Sequence, residues 1–490
     1  MKTLTAPSLS RATLDRIPPE LRPAVDPRRL RPRVVHFGLG AFHRAHQAVY
    51  TENAAARSDE PWGIVAVAPN STRVVEAMRA QDCLYSVTER HPAATATRAV
   101  GSIIDALGLR PDAERVDDLL IDPDVTVLTL TITENGHYRH PGTGELDTGA
   151  PEIAADLAAK RTADMTTVVG RLAAGLAARM RVNGAPISVV SCDNMAANGA
   201  ALGTVVRGFV EASSWPDREA VLDWLATSVA FPATIVDRIV PATTDADLEA
   251  AWTALGVRDE VAVVGEPYRQ WVLEDSFAGP RPPWEFDGAL FVPDVVPYQL
   301  TKLRLLNGSH SALAYLGAAA GCATIADVMA TGWGERLVRA LGAELAPTLP
   351  AGGPDPAAYT DDLVERFRNP GMRHLLRQIG SDGSRKIPER WFGALRSLRA
   401  ASAGTSTLEL ALAAWANATR PAADGEQLFG TTDPAAAELA ACWHETSDHE
   451  DTIRRLLSVL GAADLAGDGA LVSGTAARLP ALRAGEITEF

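Results

Sequence analysis

The chain has 490 residues, too long for one small core, so two or three domains are expected. Hydrophobic residues make up 47% and charged residues 22%, the balance of a soluble globular protein, and a net charge of −15 argues against nucleic acid or an anionic membrane as the main partner. An anionic small substrate is still allowed, because a local cluster of cations is enough to hold one.

The four cysteines, Cys83, Cys192, Cys322 and Cys442, are far apart and form no C-x-x-C pair, so neither a disulfide framework nor a zinc site is expected. No apolar run is long enough to span a bilayer, and the N-terminus carries no apolar signal core, so a cytoplasmic location is expected. Only four lysines, Lys2, Lys160, Lys302 and Lys386, stand against 42 arginines. A lysine kept in such a chain can do what Arg cannot, which is to lose its proton at working pH. Chance accounts for Lys2 and Lys160; for the other two the surroundings decide.

In chain order, Arg33–Phe37 is a short β-type run that ends in Gly38-Leu39-Gly40, and Ala41 to Ala56 is compatible with a helix. Trp62–Ala68 reads as a second strand, Asp124–Thr133 (DVTVLTLTIT) as a buried third and Ile187–Cys192 as another, with an Ala-rich helix over Thr166–Val182. Strands alternating with helices predict a doubly wound α/β, Rossmann-like sheet. From about Phe291 strand-like runs vanish, and Ala/Leu/Arg segments such as Lys302–Ala320, Ala357–Asn369 and Thr407–Thr419 take over. The division is expected near a Pro/Trp cluster, giving a dinucleotide-binding domain over 1–290 and a mainly α-helical domain over 291–490.

Strand, Gly38-x-Gly40, then helix is half of a dinucleotide fingerprint, in which glycine lets the backbone approach a pyrophosphate at a helix N-terminus. The third small residue is replaced by His43, and Arg44 and His46 would add donors near the phosphates. No acidic residue closes the second strand, which runs on as Ala68-Pro69-Asn70-Ser71-Thr72-Arg73, so NAD and NADP both stay open.

The segment Tyr298–Tyr315, YQLTKLRLLNGSHSALAY, is the most informative. On an α-helix, Asn307 lies about 140° and His310 about 80° around from Lys302, so the three share one face. A Lys beside an Asn and a His in an apolar setting suits a general base of lowered pKa; a helix-end cluster making structural hydrogen bonds is the rival.

This K-x4-N-x2-H segment resembles the signature of the mannitol dehydrogenase family. FGLGAFHRAHQAVY, TLTITENGH, SCDNMAANG, FPATIVDRIVP, EPYRQWVLEDSF and SDGSRKIP resemble other blocks of that family in the same order, from about residue 34 to 390. The resemblance implies a metal-independent, NAD-dependent (NADP possible) secondary-alcohol dehydrogenase. It implies Lys302 as acid/base, Asn307 and Asn198 as donors to the reacting oxygen, His310 as the group that orients it, and Glu134 in proton exchange. Gly38, Leu39, Gly40, Ala41 and Phe42 would hold the cofactor, with Asp237 nearby; an ion pair with Arg238 is the rival for Asp237. Arg269 and Lys386 would bind substrate. Gln299 stands where the family usually has Glu, which puts the proton path in question. Arg269 points toward the branch that interconverts D-fructuronate and D-mannonate; mannitol or arabinitol dehydrogenation is the alternative, and a non-catalytic sugar-binding protein the alternative of another class. The expected partner is a small sugar acid or polyol, and the expected assembly a monomer.

Overall fold

A computed structural model describes residues 7–422 and 427–487; Lys2 lies outside the described residues. The chain divides into two compact units, Met1–Val295 and Val296–Phe490. The boundary falls after the expected 290/291 because the last strand of the first unit, Leu290–Val292, pairs with Gln270–Glu274.

The first unit carries twelve strands among the described residues: β1 (Arg31–Phe37), β2 (Trp62–Ala68), β3 (Tyr85–Arg90), β4 (Thr95–Val100), β5 (Ile103–Gly108), β6 (Val127–Leu130), β7 (Ile187–Ser191), β8 (Val229–Ala230), β9 (Thr234–Asp237), β10 (Val263–Gly265), β11 (Gln270–Glu274) and β12 (Leu290–Val292). Six of them form one sheet in the order β5-β2-β1-β6-β7-β8, with every pairing parallel. β2, β6 and β7 are buried along their whole length, which explains why their sequences are mainly apolar on both faces: helices cover both faces of such a sheet. The order reverses at β1, with β2 on one side and β6 on the other. Open α/β sheets bind ligands at the carboxyl ends of strands at such a switch point.

Local chemistry sets the element ends. The Thr167 side chain accepts a hydrogen bond from the Gly170 amide at 2.9 Å, so the helix Val168–Val182 starts after that cap. The predicted helix over Ala41–Ala56 is two helices, Ala41–Ala45 and Gln47–Ser58, broken at His46 (φ −124°, ψ −89°). The predicted strand Asp124–Thr133 is regular only over Val127–Leu130. Two further three-stranded sheets, β10-β3-β4 and β12-β11-β9, each mix parallel and antiparallel pairs.

In the second unit the described residues form helices and isolated bridges only. Its core surrounds the helices Gly308–Ala319 and Ser406–Ala418, which are apolar nearly all round and therefore sit inside. No helix among the described residues is long and apolar enough to cross a membrane.

Candidate active site

In the first unit, β1 runs straight into a tight turn. The Gly38 amide donates to Val67 O at 2.8 Å and the Gly40 amide to Gly38 O at 2.6 Å. Gly38 has φ +120°, and a Cβ there would lie 2.0 Å from Thr131 O, so no other residue fits. At Gly40 a Cβ would meet nothing closer than 3.9 Å, which leaves the open approach a pyrophosphate needs. Leu39 is buried, and Ala41 and Phe42 are half-buried at the start of the helix Ala41–Ala45. The turn thus fits a dinucleotide. Arg44 and His46, by contrast, turn inward: Arg44 donates to Val261 O, and the His46 ring bonds Gln270 O at 2.9 Å.

Past the carboxyl end of β6, Glu134 is exposed and opens a short 3-10 turn, Glu134–His137. That turn is tied to the end of β7 through Asp193. Asp193 accepts from the Ile132 amide at 2.7 Å, from Ser191 Oγ at 2.9 Å and bonds His137 Nε2 at 2.8 Å, the last two in a buried setting. Removing the carboxylate in Asp193→Ala leaves the buried Ser191 and His137 donors without this partner. It is expected to cost about 2–3 kcal/mol in chemical denaturation, and a loss below about 0.5 kcal/mol would contradict that.

Asn198 does not stand ready for a substrate. Its Nδ2 donates to Asp193 O and to Thr234 O, both at 3.0 Å, and its Oδ1 accepts from the Thr234 amide at 3.0 Å. Both amide protons are committed to pinning the helix Asn198–Ala212 against β9. Asn194, in the same SCDNMAANG block and just past β7, is exposed. The sequence signal for it was present, since it follows the strand end more closely than Asn198 does. Asp237 is buried at the end of β9, while Arg238 pairs with Glu89 at 2.7 Å. Arg269 donates to Asp287 at 2.5 Å and lies over the Tyr50 ring at 4.3 Å. Its charge is thereby balanced within the fold.

In the second unit, the Lys–Asn–His segment is not a regular α-helix. Lys302–Asn307 is a π-helical turn between the α-helices Val296–Thr301 and Gly308–Ala319. Bonding in a π-turn runs i→i+5, so each turn holds more residues than an α-helical one and Asn307 stands closer round to Lys302 than regular helical spacing implies. The turn is supported from outside. Arg390 Nη1 donates to Asn307 O at 3.1 Å and to Ser311 Oγ at 2.7 Å, and Trp391 Nε1 donates to Gly308 O at 3.3 Å. Both donors lie on a second π-turn, Pro388–Phe392. Lys302 and Asn307 are half-buried.

The His310 ring packs against Phe367 at 4.6 Å and edge-on to His374 at 5.8 Å, and its Nε2 is buried with no hydrogen-bond partner among the described residues. Burial first, then His374, Arg366, Arg390 and Lys302, hold its pKa well below the ordinary histidine value, so it is neutral at working pH. His374 is pushed down to about 4 by burial and Arg366. Lys386 Nζ donates to Ser381 O at 2.6 Å and Ile379 O at 3.2 Å, capping the helix Leu376–Gly380. Two of its three protons are therefore structural; burial, with Arg390 next, lowers its pKa. Spacing alone could not reveal Arg366, His374 or Arg390, because they converge on His310 only through the packing of other helices.

The geometry is that of a Rossmann-type oxidoreductase with a lysine-centred helical domain. The description "Mannitol dehydrogenase Rossmann domain" matches residues 32–286 and "Mannitol dehydrogenase C-terminal domain" matches residues 294–482. The chain belongs to the mannitol dehydrogenase family. It is 38% identical over 449 residues to the D-mannonate oxidoreductase of Escherichia coli (strain K12), covering 90% of this chain and 91% of that one. Among solved structures it is similar to a D-sorbitol dehydrogenase in substrate-free form (TM-score 0.87, 28% identity, 98% and 100% covered). It is also similar to the Pseudomonas fluorescens mannitol 2-dehydrogenase, solved as a ternary complex with NAD and D-mannitol (TM-score 0.80, 33% identity, 97% of each chain covered).

Proposed function

We propose that the protein interconverts a keto sugar acid and its open-chain alcohol, D-fructuronate and D-mannonate, using NAD. One observation carries this reading: after burial and His374, the largest influences on His310 come from three cations, Arg366, Arg390 and Lys302. A neutral polyol needs one acid/base there; an anionic substrate uses the whole cluster. The similarity to a D-mannonate oxidoreductase supports the same reading.

NAD, held at the Gly38–Gly40 turn, supplies the hydride acceptor for oxidation and, reduced, the donor for the reverse. In oxidation Lys302, as the free amine, takes the hydroxyl proton; in reduction its ammonium returns the proton to the oxygen. Asn307 donates to that oxygen as negative charge builds on it. Neutral His310 bonds a substrate hydroxyl without adding charge. Arg366 draws the carboxylate, and the third proton of Lys386 is left for a hydroxyl. Glu134 exchanges protons with solvent.

Arg366→Gln is the direct test. It is expected to raise KM for D-mannonate at least about ten-fold and to leave any polyol turnover unchanged. Equal effects on acid and polyol would overturn the assignment. One observation favours the polyol reading, mannitol 2-dehydrogenation: Arg269, the cation that singled out the acid branch in sequence, is already balanced by Asp287.

Gln299 lies one helical turn before Lys302. Gln299→Glu places a carboxylate near the ammonium and stabilises it, so the lysine pKa rises. The acid limb of the oxidation pH profile should move up by about one unit. An unmoved or lowered limb would show that residue 299 does not sense Lys302.

A further inference from the structure

The phosphate turn departs from the dinucleotide fingerprint at one place. The third glycine, which normally lets the helix pack closely on the strand, is His43. A bulky residue there should push the helix away, yet His43 is fully buried. Its ring lies flat on the ring of His36, with centroids 3.3 Å apart and planes 9° from parallel. His36 is the penultimate residue of β1 and is also fully buried.

His36 in turn grips the turn itself. Its Nδ1 meets Thr129 Oγ1 at 2.7 Å, and its Nε2 meets Gly38 O at 3.0 Å and Thr131 Oγ1 at 2.8 Å. A carbonyl can only accept, so Nε2 carries the proton and Nδ1 accepts from the Thr129 hydroxyl. Thr131 Oγ1 also donates to Gly38 O, at 3.0 Å. The carbonyl of Gly38, the positive-φ residue of this turn, is thus held from two sides, by Thr131 just past β6 and by His36 of β1.

We infer that the stacked pair His36/His43 replaces the missing third glycine and positions the phosphate turn: His43 packs the helix Ala41–Ala45 onto the strand through a flat ring, and His36 locks Gly38 in the conformation that opens the turn to a pyrophosphate. Neither ring touches the cofactor; both are positioning residues. Burial keeps both rings uncharged, His36 with a pKa pushed down to about 3, so two imidazoles stack without repulsion. Gln47 lies beside the ring, but no hydrogen bond of ordinary geometry reaches either nitrogen of His43, so what His43 contributes is its face. For His36 the nitrogens matter.

The inference rests on reading the turn as an NAD site, and the experiment separates the two. NADH binding is measured by fluorescence titration on the full chain, with sugar KM and kcat at saturating cofactor alongside. The unmutated protein should bind; if it does not, the cofactor reading and this inference fall together. His36→Leu should weaken NADH binding about ten-fold or more and leave the sugar KM within about two-fold. His36→Gln, which keeps an N–H for Gly38 O, should recover most of that loss. His43→Phe, which keeps the flat face, should bind within about three-fold of the unmutated protein, and His43→Ala should not. If the unmutated protein binds and all four variants bind as well as it does, the pair has no part in the site. If His36→Gln and His43→Phe lose as much as the harsher changes, or if cofactor and sugar constants worsen together, the positioning role is overturned in favour of plain core packing.

Discussion

Lys302→Met lowers kcat for alcohol oxidation about 1,000-fold while the protein still binds NADH with unchanged affinity. The side chain keeps its length and loses the only group in the Lys302–His310 segment that can both accept and return a proton at working pH. General acid–base groups contribute about 100- to 10,000-fold, so the middle of that range is the expectation. Lys302→Arg should fail almost as badly, because a guanidinium does not surrender its proton. In both variants the acid limb of the pH–rate profile should disappear, since no titrating base remains. Activity of Lys302→Met within ten-fold of the unmutated protein would remove the lysine from the mechanism. Unaltered NADH binding separates lost chemistry from lost folding.

Gly38→Ala should abolish cofactor binding, by a different route. The new Cβ would stand 2.0 Å from Thr131 O and 2.7 Å from Thr131 Oγ1, at a φ of +120° that L residues rarely adopt. The turn cannot relax without breaking its bonds to β6. A stability loss of about 3 kcal/mol is expected, together with a rise in the NADH Kd of more than about 100-fold. Gly40→Ala provides the contrast. Its φ is ordinary and its nearest neighbour would be 3.9 Å away, so stability should hold and only cofactor affinity should fall. If Gly38→Ala binds NADH normally, the turn is not where the dinucleotide sits.

Much of this was legible in sequence, and the reason lies in the residues. β2 is apolar throughout and β7 nearly so because they are central, buried parallel strands, so their runs stand out. The strands of the two small sheets did not, because β4 is half exposed and polar and β12 is three residues long. Motif blocks named the site residues but could not say how their atoms are used. The amide of Asn198 is consumed by Thr234 and Asp193, and the charge of Arg269 by Asp287; Thr234 and Asp287 lie 36 and 18 residues away. The π-turn at Lys302–Asn307 was equally hidden, because helical spacing assumes a regular bond pattern. What stabilises the turn, Arg390 with Trp391, lies more than eighty residues on.

The most direct measurement compares kcat/KM for NAD reduction by the purified protein with D-mannonate and with D-mannitol as substrates. A preference for D-mannonate of at least about 100-fold is the predicted result, because a carboxylate gains from the cations gathered around His310 and a neutral polyol does not. Equal or better turnover of D-mannitol would contradict it and make the protein a polyol dehydrogenase, with Arg366 serving the fold.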